Sequence, residues 1–148
     1  VTQQDPAIFA LLNEIGIIEQ LARNRFERAQ ADGLRLPQFA VLNHLVRLGD
    51  GRGPAQIARA FEVTKATMTN TLQRLEARGF VRLEDDARDG RAKRVFLTEE
   101  GRARREEAVA HTAADLAPIA AALATDPETL LPGLRELRAM LDRSRNEF

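Results

Sequence analysis

The sequence predicts a mainly α-helical fold with one small β-hairpin set past its middle. Three observations carry this. Apolar residues recur at three- and four-residue spacings through most of the chain, the period of helices buried on one side. Between Phe80 and Leu97 that period gives way to alternation, which is the period of strands. Glycine and proline cluster at the joints, around Gly33 to Pro37, Gly49 to Pro54 and Gly79, where they end helices or open turns.

Taken in order, residues 6–31 read as an amphipathic helix. Pro6 suits its first turn, and Ile8, Leu11, Leu12, Ile15, Ile18, Ala22 and Phe26 share one face, widened by Ile17 and Leu21. Asp32-Gly33 and Pro37 break it. A second helix, residues 37–48, carries Phe39, Val41, Leu42, Leu45 and Val46. Gly49, Gly51 and Gly53 close it and predict a flexible connection. Pro54 opens a short helix with Ile57, Ala58 and Phe61 inward. Glu62-Val63 is a tight turn, and Thr64 is an N-cap for a helix over residues 65–78 that stops at Gly79.

Phe80 to Glu84 and Arg94 to Leu97 are the strands of a hairpin with a polar loop between them. Thr98 caps a further helix, which begins with alternating charges (Glu99, Glu100, Arg102, Arg104, Arg105) and turns Ala- and Leu-rich through Leu116, Ile119 and Leu123. A last helix, residues 127–145, carries Leu130, Leu134, Leu137 and Leu141 on one stripe, with Leu131 and Met140 beside it. Two short helices, a tight turn and a following hairpin make a winged helix-turn-helix. The expected organisation is an N-terminal dimerisation helix (1–35), a winged helix-turn-helix region (36–98) and C-terminal dimerisation helices (99–148). The terminal stripes need partners, which they would find in each other and in the same helices of a second chain; the other reading is that they cover one monomer's core.

Composition bounds the function. Hydrophobic residues make up 44% and charged residues 30%, the profile of a folded globular protein. No apolar run reaches the roughly 20 residues that span a bilayer. Val1 to Asp5 shows no basic start before an apolar stretch, so no signal peptide is expected. Cysteine is absent, which excludes disulfides, thiolate metal sites and thiol redox sensing, and agrees with a cytoplasmic location. Catalysis has no support: Ser144 is the single serine, tyrosine is absent, and the two histidines lie far apart. No cofactor is expected.

Twenty-two Lys and Arg balance 22 Asp and Glu, so net charge does not announce a nucleic-acid binder. The distribution does. On the helix after Thr64, Met68, Leu72 and Leu75 face the core. The other faces present Lys65, Ala66, Thr67, Thr69, Asn70, Gln73 and Arg74, with no acid before Glu76. Amides, hydroxyls and cations suit base edges and phosphates, which repel carboxylates. Between Arg88 and Arg94 lie four bases, Arg88, Arg91, Lys93 and Arg94, against one acid, Asp89. Arg91 is placed to enter a minor groove, oriented by Asp89 through a short salt bridge, while Arg88, Lys93 and Arg94 hold flanking phosphates. The candidate DNA-binding residues are therefore Thr64, Lys65, Thr67, Thr69, Asn70, Gln73, Arg74, Arg88, Asp89, Arg91, Lys93 and Arg94. The alternative is a winged helix that binds another protein, which would favour apolar side chains on the hairpin.

Three stretches carry a family resemblance: Leu36-Pro37-Gln38-Phe39-Ala40-Val41-Leu42, Ile57-Ala58, and Leu75-Glu76-Ala77-Arg78-Gly79-Phe80-Val81. A fourth, from Asp86 to Gly101, resembles the wing signature of the MarR family of bacterial regulators: an Asp, a spacer and an Arg, then Val-x-Leu-Thr-x-x-Gly. The resemblance implies a homodimer joined through its terminal helices and bound to a roughly palindromic double-stranded DNA site, most often as a repressor. It maps the family's wing arginine to Arg91 and its paired acid to Asp89. It also implies a small aromatic or phenolic effector that lowers DNA affinity, bound near Ile15, Phe39 and His44. The other reading of His44 is a partly buried histidine with satisfied bonds. Without cysteine or tryptophan, neither the peroxide-sensing branch nor the urate branch's tryptophan carries over. With only His44 and His111 as histidines, a zinc-sensing reading has thin support.

Overall fold

The structure, a computed structural model, describes residues 4–145. The opening residues 1–3, part of the signal-peptide reading, and residues 146–148 of the last expected segment lie outside the described residues. The elements are α1 (Ala7–Ala29), α2 (Leu36–Leu48), α3 (Pro54–Ala60), α4 (Lys65–Ala77), β1 (Val81–Asp85), β2 (Lys93–Leu97), α5 (Glu99–Ala122) and α6 (Pro127–Ser144). This is the expected mainly helical order with one antiparallel hairpin, Val81 opposite Leu97 and Leu83 opposite Val95. Among the described residues, no single helix is long and apolar enough to cross a membrane.

The chain divides into two compact units, Val1–Thr112 and Ala113–Phe148. In the first, the core is where the apolar periods place it. Val41, Leu42 and Leu45 of α2 meet Ile57 and Ala58 of α3, Met68, Leu72 and Leu75 of α4, and Val81 and Val95 of the hairpin. A smaller cluster joins Phe26 of α1, Leu34 and Ala108 of α5, with Leu36 and Phe39 against it. The rings of Phe26 and Phe39 lie 5.0 Å apart and tilted, a favoured aromatic geometry. Most of the rest of the α1 stripe is bare: Ile8, Leu11, Leu12 and Ile18 are all exposed. In the second unit, α6 starts on Asp126, whose carboxylate accepts from the Glu128 amide at 3.0 Å. Its stripe residues Leu130, Leu134 and Leu141 are exposed, and none of its residues is buried.

Local chemistry sets the joints. The hydroxyl of Thr64 accepts from the Thr67 amide at 3.1 Å, the cap expected for α4. Glu62 takes a φ of 52° in the turn before it, where the Val63 amide reaches back to the Ala58 carbonyl at 3.1 Å. Thr98 does more than cap α5. It accepts from the Gly101 amide at 3.0 Å and donates to the Gly79 carbonyl at 2.6 Å, tying the start of α5 to the end of α4. Gly101 completes this joint, since a Cβ there would lie 2.0 Å from the Phe80 carbonyl oxygen. The Thr-x-x-Gly of the wing signature is thus a packing requirement.

The connection over residues 49–53, expected to be flexible, is a third edge of the sheet. The Gly51 amide donates to Val95 at 2.8 Å, and the Val95 amide donates to Arg52 at 2.9 Å. Asp50 accepts from the Leu97 amide at 2.8 Å. The open edge of β2 offers unpaired backbone groups, and the loop satisfies them.

His44 is buried on α2, its ring 5.2 Å from that of Phe61. Burial pushes its pKa below the ordinary 6.5, helped by the charges of Arg52 and Arg47. The unfolded chain therefore binds a proton that the folded chain resists. Stability from this site is full above pH 6.5 and is lost as pH falls below it. The loss of melting temperature between about pH 7.5 and 5.5 should shrink in His44→Gln, followed by thermal melts across that range. Gly101→Ala should destabilise the chain by about 2 kcal/mol, although alanine favours a helix by about 1 kcal/mol over glycine. Chemical denaturation reads the sign, and a stabilised variant would refute the clash.

Candidate nucleic-acid interface

Helix α4 buries Met68, Leu72 and Leu75. At about 3.6 residues per turn, the opposite side presents Ala66, Asn70 and Gln73. Thr67 and Arg74 lie on one flank of that ridge, Lys65 and Thr69 on the other. All are exposed except Thr69, which is half-buried. Thr64 is exposed and engaged: besides capping, it donates to the Thr67 hydroxyl at 2.8 Å. The first acid on the helix is removed from this face. Glu76 bends to the hairpin and accepts from the Leu83 amide at 2.9 Å. The outward ridge of α4 is thereby free of carboxylates.

The hairpin loop is built on two aspartates in tandem. Asp86 accepts from the Arg88 amide at 2.9 Å, and Asp89 accepts from the Arg91 amide at 3.0 Å. Each is an Asx turn. The Ala92 amide closes the tip onto the Asp89 carbonyl at 3.0 Å, and Asp86 N–H reaches the Ala92 carbonyl at 3.0 Å. Asp89 therefore orients Arg91 through the backbone, where the expectation was a salt bridge between the side chains. The consequence is that the Arg88 and Arg91 side chains both extend from a pinned backbone and are exposed.

Lys93 and Arg94 are placed differently. Lys93 pairs with Asp85 across the hairpin at 2.5 Å. Arg94 donates from Nε to the Gly51 carbonyl at 2.8 Å, with its guanidinium 5.9 Å from the Phe96 ring centre. Gly51 has a φ of 81°, and a Cβ on it would sit 2.7 Å from Arg94 Nη2. Both cations are engaged by the protein and hold the root of the hairpin. Arg52, missed in the sequence reading, belongs to the same root: it bridges to Val95 and donates to the Leu48 carbonyl at 2.6 Å. The trace it leaves in sequence is glycine at every second position, 49, 51 and 53.

The residues named for an effector are not gathered by the chain. Phe39 stacks on Phe26 and His44 packs on Phe61, so they serve different clusters on α2. Ile15 is half-buried and lies 11 residues before Phe26 in α1, about 16 Å along a helix axis. An open depression on α1, lined by Leu21, Asn24, Glu27 and Arg28, includes none of the three.

A model of the MarR family matches residues 32–92. The transcriptional regulator HosA of Escherichia coli is 44% identical over 70 residues, which are 46% of this chain and 50% of HosA. The chain thus spans about half the length of the curated relatives it matches. The solved structure of MarR aligns with a TM-score of 0.82 at 25% identity, over 100% of this chain and 99% of that one. BpsR of Bordetella bronchiseptica, whose DNA binding is regulated by 6-hydroxynicotinic acid, aligns with a TM-score of 0.68 at 26% identity, over 96% and 98%. The family model thus matches the helix-turn-helix, β1 and the hairpin loop, the fold of MarR aligns along its length, and the chain resembles the MarR family of transcriptional regulators.

Proposed function

We propose that this chain is a sequence-specific, double-stranded DNA-binding transcriptional repressor that acts as a homodimer on a roughly palindromic site. One observation carries the reading: an outward α4 ridge without carboxylates stands in the same winged unit as two exposed arginines on an Asx-pinned loop. Asn70 and Gln73 suit bidentate pairing with adenine, and Arg74 suits guanine or phosphate. Thr64, Lys65, Thr67 and Thr69 supply phosphate contacts from the first turns of the helix. Arg91 enters the minor groove and Arg88 holds the backbone beside it. Lys93 and Arg94 support these contacts from the hairpin root, as Asp89 supports them from the tip.

The dimer reading rests on the stripes. Ile18 of α1 is 59% exposed and Leu130 of α6 is 53% exposed. Burying one such side chain is worth about 1.5–3 kcal/mol, so a second copy that covers both stripes gains the energy a stable dimer requires. The 1–35 and 99–148 segments are the proposed dimerisation arms around the 36–98 unit. A dimer then sets two α4 helices in successive major grooves, roughly 34 Å apart. The effector, a small aromatic or phenolic anion near Ile15, Phe39 and His44, rests on the family resemblance and on the regulation of BpsR. It would act by favouring a dimer whose half-site spacing does not fit DNA. A cytoplasmic location follows from the same reading.

Selection of bound duplexes from a random pool is the direct test, and failure to enrich any sequence defeats the proposal. Arg91→Ala should weaken binding to all duplexes and lower the salt slope by about 1. Asn70→Ala or Gln73→Ala should cost about 1–3 kcal/mol on the selected duplex and leave unselected DNA nearly unaffected. A uniform loss over both would argue against base reading. Leu134→Asp, at an exposed position, should leave the fold intact and shift sedimentation from dimer to monomer. A variant that stays dimeric would remove the α6 stripe from the interface.

A further inference from the structure

Ion pairs between two exposed side chains, such as Arg23 with Glu19 and Lys93 with Asp85, stabilise little. Asp32, in the turn between α1 and α2, is different. Arg104 of α5, 8% exposed, lays its guanidinium along the carboxylate, with Nε 2.8 Å from Oδ2 and Nη2 2.8 Å from Oδ1. The same Nη2 donates to Gln30 Oε1 at 2.8 Å. Arg78 donates to Asp32 Oδ2 at 2.5 Å and reaches the Asp32 carbonyl at 3.4 Å. Arg78 is the C-cap of α4, and its guanidinium also lies 4.9 Å from the Phe80 ring centre. The Leu34 amide completes the set at 3.1 Å from Oδ1.

One carboxylate thus joins three parts of the chain separated by 46 and 72 residues. The two-pronged fork fixes the plane of the Arg104 guanidinium as well as its distance, which a lysine could not do. Hydrogen bonding from Arg104 holds the Asp32 carboxyl well below the usual carboxylate range, against the opposing effect of burial. Asp32 is therefore charged throughout the physiological range, and the two arginines that meet on it are kept from repelling each other.

We propose that Asp32 is a positioning residue for DNA recognition, gripping Arg104 and Arg78 together so that the C-terminal end of α4 is set against the α1–α2 turn and α5. The inference rests on the DNA-binding reading of α4. Its mechanical part stands separately: beside the Thr98 and Gly101 contacts at the start of α5, Asp32 gives a disturbance at Arg104 a second route to the end of α4.

Native-state hydrogen exchange on Arg104→Lys and Arg78→Ala tests the mechanical part without DNA. Both variants leave Asp32 at least one cationic partner, and Arg78→Ala keeps the buried pair intact should Arg104→Lys fold poorly. Amides of residues 74–80 should exchange about tenfold faster in each, while those of the first α4 turn stay unchanged. Unchanged exchange over residues 74–80 would overturn the joint. On the selected duplex, Arg78→Ala should bind about tenfold more weakly with an unaltered salt slope. Unaltered affinity would overturn the positioning role, and a reduced slope would make Arg78 a phosphate contact instead. If the parent chain enriches no duplex, the DNA reading falls, and exchange alone decides whether the joint exists.

Discussion

The contact between Gly101 and the Phe80 carbonyl organises the winged unit. A helix can start this close to a strand only where its third residue lacks a side chain, since a Cβ would come within 2.0 Å of that oxygen. With the gap closed, Thr98 bonds in both directions, to Gly79 behind it and to Gly101 ahead. The end of α4, both roots of the hairpin and the first turn of α5 then form one body. Everything that matters for a DNA-facing surface hangs from it: the angle of the α4 ridge and the reach of the loop beyond β1 and β2. A larger residue at position 101 would separate these elements even if each kept its own fold.

Rigidity at the root explains how a short loop can present cations usefully. A free arginine loses considerable side-chain entropy when it is fixed on a partner. Here the backbone beneath Arg88 and Arg91 is ordered in advance by Asp86 and Asp89, so only the side-chain cost remains on binding. The root is held by other charges. Lys93 lies on Asp85, Arg94 on the Gly51 carbonyl, and Arg52 on Leu48. Cations that sequence reading grouped as one basic finger therefore divide into two sets, one that builds the finger and one at its tip.

Sequence made the local half of this legible. Helix periods located the core residues of α2, α3 and α4, Thr64 marked a helix start, and alternation marked both strands. Those signals work because their causes lie within a few residues. The bridge from Arg52 to Val95 and the fork from Arg104 to Asp32 have causes 43 and 72 residues away, and neither end carries a local pattern that names its partner. The loop over residues 49–53 looked flexible because its glycines were read as freedom. At Gly51 the glycine instead answers a positive φ and the close approach of Arg94. Asp89 was paired with the correct residue and the wrong atoms, since spacing cannot tell a guanidinium from an amide two residues on.

The zero net charge, which by itself does not announce a nucleic-acid partner, becomes intelligible once the acids are located. Glu76 holds Leu83, Asp50 holds Leu97, Asp86 and Asp89 hold the loop, and Asp32 holds two arginines. Each of these carboxylates accepts hydrogen bonds from the protein, and the backbone partners among them are amide groups that water would otherwise have to satisfy. An acid bonded in this way raises less repulsion toward an approaching phosphate, because its charge already faces donors. The count of charges therefore misleads, while their hydrogen-bond partners do not. Here these five acids serve as structural acceptors and Arg88 and Arg91 as outward charge, so a neutral sum is compatible with a surface that attracts anions at one place.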